Sequence, residues 1–163
     1  MIGKNIRTIR SVGSKALFLA LLYVGCVHTC LAQNKYINNH KSIADSLSKV
    51  YGIPSAVILG VAVIESGNGT SRNSKLLHNH FGIVGSNTLK QTHGIKSRYK
   101  QYNNSMASFI HFCKLISDKY YYAKLKGSAD ASKWIDAISR SGYSTQPQTW
   151  KARILKTISR YNL

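Results

Sequence analysis

The sequence predicts a mainly helical α+β domain with five or so helices and one small β-hairpin. Apolar residues recur at helical spacing in five separate segments, and glycine, proline or capping residues stand at most of their ends. One stretch, from Ile83 to Tyr102, breaks that pattern with Gly85-Ser86-Asn87 and Gly94, and reads as a short irregular hairpin.

Ahead of these elements lies a segment of different character. Residues 1–15 carry Lys4, Arg7, Arg10 and Lys15 without an acid, and Ala16 to Val27 is almost wholly apolar. Such a run is too short for a bilayer span of roughly 20 residues and has the length of a secretory signal. Cys30-Leu31-Ala32 resembles a small-residue cleavage site, so residues 1–32 are expected to be a signal peptide and residues 33–163 the exported domain. The destination would be periplasm, cell envelope or medium, with no stable membrane span after cleavage. Cys26, following Val24-Gly25, offers a lipoprotein alternative that Tyr23 weakens, and an uncleaved anchor is a third.

The remaining 131 residues suffice for one compact core. Only Cys113 of the three cysteines survives such cleavage, so no disulfide framework is expected, and its apolar neighbours Phe109, Phe112 and Ile116 mark it as a packing residue. Of 23 basic residues four fall in the signal, leaving 19 against five acids and a net charge of +14. That field attracts polyanions such as nucleic acid, anionic lipid or an acidic wall polymer. The basic residues are dispersed, and export removes the usual nucleic-acid partner, so no nucleic-acid role is expected.

In chain order, Ile43, Leu47 and Val50 give the first helix an apolar stripe, and Gly52 stops it. Pro54 suits the first turn of a second helix, which is apolar nearly all round to Ile64 and should cross the middle of the core. Ser66 to Ser71 has the composition of a turn. Phe109, Phe112, Cys113 and Ile116 share a face in a helix from Met106 to Ile116, capped by Asn104 or Ser105. Trp134, Ile135 and Ile138 mark a helix from Ser132 to Ser141, and Trp150, Ile154, Leu155 and Ile158 a last one from Thr149 to Tyr161.

Glu65, the only glutamate, ends the second of these helices. A carboxylate there loses hydration, and the C-terminal end of a helix dipole is the wrong end for a negative charge. Either burial raises its pKa or it is kept for chemistry, so Glu65 is the candidate general acid. The aspartates Asp45, Asp118, Asp130 and Asp136 lie in amphipathic helices or at their edges, where solvated charge or capping explains them. His78-x-His80 has metal-pair spacing but lacks a third ligand nearby, so neither metal nor cofactor is expected.

Four blocks of this chain resemble the family 73 glycoside hydrolases, the glucosaminidases that include bacterial autolysins and flagellar-rod peptidoglycan hydrolases. Ile53 to Ser71, containing Glu65-Ser66-Gly67-Asn68-Gly69, is similar to the family's catalytic segment. His78-Asn79-His80-Phe81-Gly82-Ile83, Arg98 to Ser108, and Gly142-Tyr143-Ser144-Thr145-Gln146-Pro147 follow in family order. The resemblance implies a lysozyme-like fold with a glycan groove. It further implies cleavage of the β-1,4 bond between N-acetylglucosamine and N-acetylmuramic acid in peptidoglycan strands. On it, Glu65 is the acid, Tyr143 lines the cleavage site, Asn79, His80 and Phe81 form the groove wall, and Thr145 binds substrate.

The chain departs from the family pattern at Asn68 and Gln146, and Val84 to Lys96 holds no acid where some members have a second one. Two-carboxyl hydrolysis needs a partner roughly 5 Å or 6.5–9.5 Å away, and none is evident, which points to assistance by the substrate's own N-acetyl group. A lytic transglycosylase or muramidase of the lysozyme superfamily, or a catalytically silent wall-binding module, would share the fold and charge.

Overall fold

The computed structural model describes residues 35–163; the expected signal peptide, with Cys26 and Cys30, lies outside the described residues. The described chain is mainly helical, with eight helical segments instead of five. Five are long: α1 (35–51), α2 (Ser55–Ser66), α5 (Ser105–Ser117), α7 (Ala131–Arg140) and α8 (Pro147–Tyr161). The other three, α3 (Arg72–Leu77), α4 (Leu89–His93) and α6 (Tyr122–Leu125), are single turns or little more, too short to leave a periodic signature in the sequence.

Helix α2 runs through the core as its composition dictates, with every residue from Val57 to Val63 buried. Pro54 stands just outside it as the N-cap, not in its first turn. Helix α8 crosses α2 at Gly60, where an added Cβ would lie 2.9 Å from Ile158 and 3.2 Å from Ile154. The absence of a side chain at Gly60 is what lets the two helices meet so closely. Helix α7 packs against both, and Asp136 ties it to α8 through Lys151 at 2.5 Å. Asn104 caps α5 by accepting from the Ala107 amide at 2.9 Å, and Asp130 caps α7 by accepting from Lys133 N at 3.0 Å. Helix α1 buries Tyr36, Ile37, Ala44 and Leu47 but leaves Val50 68% exposed, so its stripe ends one turn earlier than the spacing predicts.

The expected β-hairpin is not formed. Between Ile83 and Tyr102 the structure has one isolated antiparallel bridge, Val84 to Tyr99, and the short helix α4 inside the excursion. Backbone bonds from Gly85 N to Arg98 O (2.9 Å), Lys100 N to Ile83 O (2.8 Å) and Gln101 N to Ser86 O (3.0 Å) join the two arms, and side chains add to them: Asn87 Nδ2 donates to the Ser97 and Tyr99 carbonyls at 2.9 and 2.8 Å, and Gln101 Oε1 accepts from Thr88 N at 3.0 Å. Asparagine and glutamine compete with regular pairing in this way.

No helix among the described residues is long and apolar enough to cross a membrane. The cysteine in the described region, Cys113, is free and buried, and burial pushes its thiol up to about 12.

Candidate active site

Three segments converge on Glu65: the end of α2, the loop 78–83, and the start of α8. Gly67 terminates α2 in the left-handed conformation (φ 56°), and Asn68 and Gly69 continue at φ 58° and 74°. Asn68 N donates to Val63 O at 3.0 Å and Gly69 N to Ser66 Oγ at 2.8 Å, so the turn folds back on the helix it ends. Gly69 lies against the Tyr36 ring, 2.7 Å from where a Cβ would sit, which leaves no room for a side chain.

Glu65 is half-buried, and its carboxyl is oriented from α8. Trp150 Nε1 donates to Glu65 Oε1 at 2.6 Å across 85 residues of sequence. The second oxygen, Oε2, lies 3.4 Å from the point where a Cβ on Gly82 would be, with the Tyr99 ring 4.0 Å from that same point. Loss of solvent raises the Glu65 pKa above the ordinary carboxyl value, while the Trp150 hydrogen bond and the Arg153 charge pull it partly back. An indole N–H can only donate, so Oε1 must accept and a proton on this acid resides on Oε2.

Loop 78–83 is held rigidly behind Oε2. Asn79, 1% exposed, spends its whole amide on the loop: Nδ2 donates to the Ile83 and Lys100 carbonyls, both at 2.8 Å, and Oδ1 accepts from Ile83 N at 3.1 Å and Phe81 N at 3.4 Å. His80 is buried between Tyr36 Oη at 2.8 Å and Ser105 Oγ at 2.9 Å. Desolvation, with His40 and His78 nearby, lowers its pKa to about 4, so it is neutral at physiological pH. Phe81 stacks on Phe112 with centroids 4.2 Å apart and is 2% exposed.

Asn79, His80 and Phe81 are thus all buried, and His80 also borders a recess with Tyr36, His40 and Ser105. Their side chains are core and loop supports, and it is the Gly82 backbone that stands beside the carboxyl. An asparagine or histidine in a sequence motif does not reveal whether it faces a ligand or its own backbone.

Tyr143 is half-buried near Glu65. Its hydroxyl donates to the Phe81 carbonyl at 2.9 Å, and its ring lies 5.3 Å from Trp150. Burial and the Glu65 charge keep the phenol protonated. Thr145 is exposed on the turn before α8, away from these hydrogen bonds.

The aspartates are engaged elsewhere. Asp45 accepts from Ser55 Oγ at 2.6 Å and pairs with Lys41, Asp130 pairs with Lys133, and Asp136 with Arg140 and Lys151. Asp118 ends α5. No cluster of three metal-ligating residues occurs among the described residues, and His78 and His80 diverge, the first exposed and the second buried. Trp150 and Arg153, the groups that tune Glu65, were not foreseen as site residues; the only available signal was a tryptophan N–H that must find an acceptor once buried.

The described residues thus form a helical domain around one desolvated carboxyl, with Asp45, Asp130 and Asp136 engaged in ion pairs at the surface. The family model described as mannosyl-glycoprotein endo-beta-N-acetylglucosaminidase matches residues 41–163, and the chain belongs to this glucosaminidase family of glycoside hydrolases. Its fold is similar to the catalytic domain of the autolysin Auto from Listeria monocytogenes (24% identity, TM-score 0.64, covering 80% of this chain and 85% of that one). It is also similar to the glycoside hydrolase domain of FlgJ from Salmonella typhimurium (21% identity, TM-score 0.62, 80% and 88%). A third similar structure is a peptidoglycan hydrolase mutant from Sphingomonas sp. A1 (22% identity, TM-score 0.60, 76% and 91%). Comparison with curated protein sequences finds no match.

Proposed function

We propose that the protein is an exported endo-β-N-acetylglucosaminidase that cleaves peptidoglycan strands between N-acetylglucosamine and N-acetylmuramic acid, with Glu65 as general acid. The observation that carries this reading is the Glu65–Trp150 pair. It occupies one carboxyl oxygen, leaves the proton on the other, and sits in surroundings that favour the protonated form. Membership of the glucosaminidase family and structural likeness to peptidoglycan hydrolases support the choice of bond and polymer.

With no second carboxyl at hand, the substrate supplies the nucleophile. The acetamido oxygen of the N-acetylglucosamine attacks its own anomeric carbon as the glycosidic bond breaks, and the leaving oxygen takes the Oε2 proton. Water, deprotonated by the Glu65 carboxylate, then opens the resulting oxazolinium ion and restores both the acid and a reducing-end N-acetylglucosamine. Tyr143 positions this chemistry by holding the Phe81 carbonyl, and through it the Gly82 backbone beside Oε2. The basic, then apolar, start of the chain supports export, with Gln33 as the mature N-terminus; intact mass of the secreted protein checks the cut.

Digestion of purified peptidoglycan, read by mass spectrometry, tests the enzyme. The wild-type chain should release products ending in reducing N-acetylglucosamine, and Glu65→Gln should release none while keeping the same circular dichroism spectrum. Anhydromuramic ends would assign it to the lytic transglycosylases instead.

A further inference from the structure

A cationic stripe leads away from the proposed acid along α8. Trp150, Arg153, Thr157 and Arg160 recur at three- and four-residue steps and so share one side of the helix, with Lys156 beside them. Arg153, Lys156 and Arg160 are exposed, and with Thr157, Tyr161 and Ile64 they line a recess of about 240 Å³. Arg153 lines the recess and lies close enough to Glu65 for its charge to act on the carboxyl, so the recess borders the site. From Arg153 to Arg160 the stripe runs about 10 Å at the helical rise.

These cations lack partners of the kind found elsewhere on the surface. Asp45, Asp130 and Asp136 satisfy Lys41, Lys133, Arg140 and Lys151, but none of the salt bridges among the described residues reaches Arg153, Lys156 or Arg160. Three like charges within a few turns repel one another. Thr157, buried and donating to the Arg153 carbonyl at 3.0 Å, forms a floor between them, and Arg160 lies over the Tyr161 ring at 5.9 Å.

We propose that this stripe is a subsite for the free carboxylates of the peptide stems borne by muramic acid, engaging the stem next to the bond being cut. The proposal rests on the glucosaminidase reading above, since a glycan strand lying at Glu65 carries its stems within reach of α8. The N-acetylated sugars themselves are uncharged, and carboxylates on the stem peptide are the anions that such a polymer presents beside the scissile bond. Guanidinium groups suit them through paired N–H donors.

The test separates the stripe from the chemistry. Binding of the protein to insoluble peptidoglycan is measured by co-sedimentation at low salt, against the same cross-linked strands stripped of free stem carboxylates by carbodiimide coupling to a neutral amine. Lys156→Gln/Arg160→Gln leaves Glu65, Trp150 and Arg153 untouched. It should weaken binding to stem-bearing material by about three- to tenfold, the loss of two exposed charge pairs, and leave stripped strands unaffected. The same charge change at Lys90 and Lys124, on other elements, should produce no such contrast. Equal weakening on both substrates, or the same contrast from the Lys90/Lys124 variant, would mean that only general charge is at work and would overturn the subsite. Unchanged binding of both substrates would overturn it as well. Product release is scored separately: binding contrast without released muropeptides would refute the glucosaminidase reading and leave the stripe standing.

Discussion

At the scale of single residues, the two oxygens of Glu65 differ: Trp150 holds Oε1, and Oε2 is left beside Gly82. Trp150→Phe removes a donor that favours the ionised form, so the Glu65 pKa should rise further and the alkaline limb of the kcat profile should move to higher pH. The rate itself should fall, by about ten- to a hundredfold, as the carboxyl loses its orientation. A pH profile of both enzymes measures the two effects together. Stability carries the same signature. Because the folded-state pKa is raised, the unfolded chain holds fewer protons above the ordinary carboxyl range, and stability declines as pH rises through the folded value. Glu65→Gln removes that decline, so thermal melts should show it gaining Tm relative to wild type at pH 8 but not at pH 4. His80 works in the other direction: its pKa is lowered to about 4, so its neutral form supports the fold above pH 6.5, and that support is lost as pH falls towards 4. Glu65 was legible from composition alone, as one glutamate after nine small or apolar residues. Trp150 was not, because nothing local links positions 85 apart.

At the scale of elements, the two turns flanking the acid are the most constrained parts of the chain. Gly69 has a positive φ and a tyrosine ring where its side chain would go. Gly69→Ala should cost roughly 1–3 kcal/mol in urea unfolding, from left-handed backbone and from displacement of Tyr36. Asn79→Ala takes the side-chain partner from the Phe81 and Ile83 amides and from the Lys100 carbonyl, leaving Ile83 O its bond from Lys100 N, and should cost about 2–4 kcal/mol, with much of the activity. The long helices were legible because their apolar period spans several turns; α3, α4 and α6 were too short for any period. The hairpin misled because breakers at Gly85 and Gly94 indicate only that the chain turns. Only a few backbone bonds join the two arms, and Asn87 and Gln101 satisfy further backbone groups that a longer ladder would have paired.

At the scale of the whole molecule, the contact that matters most is the crossing of α2 and α8 at Gly60. A methyl there meets Ile158 and Ile154, so Gly60→Ala should cost about 1–3 kcal/mol by overpacking and should also lower kcat, since α8 carries Trp150. Melting temperature and turnover measured on the same variant would link the two, whereas a loss of stability with full turnover would show that the site tolerates a shift of α8. The order of synthesis gives this crossing a further meaning. Glu65 leaves the ribosome well before Trp150, so a growing chain carries this carboxyl long before it can orient it. The Glu65–Trp150 pair can therefore close only after the 85 residues that separate its members have been made and have folded back on one another.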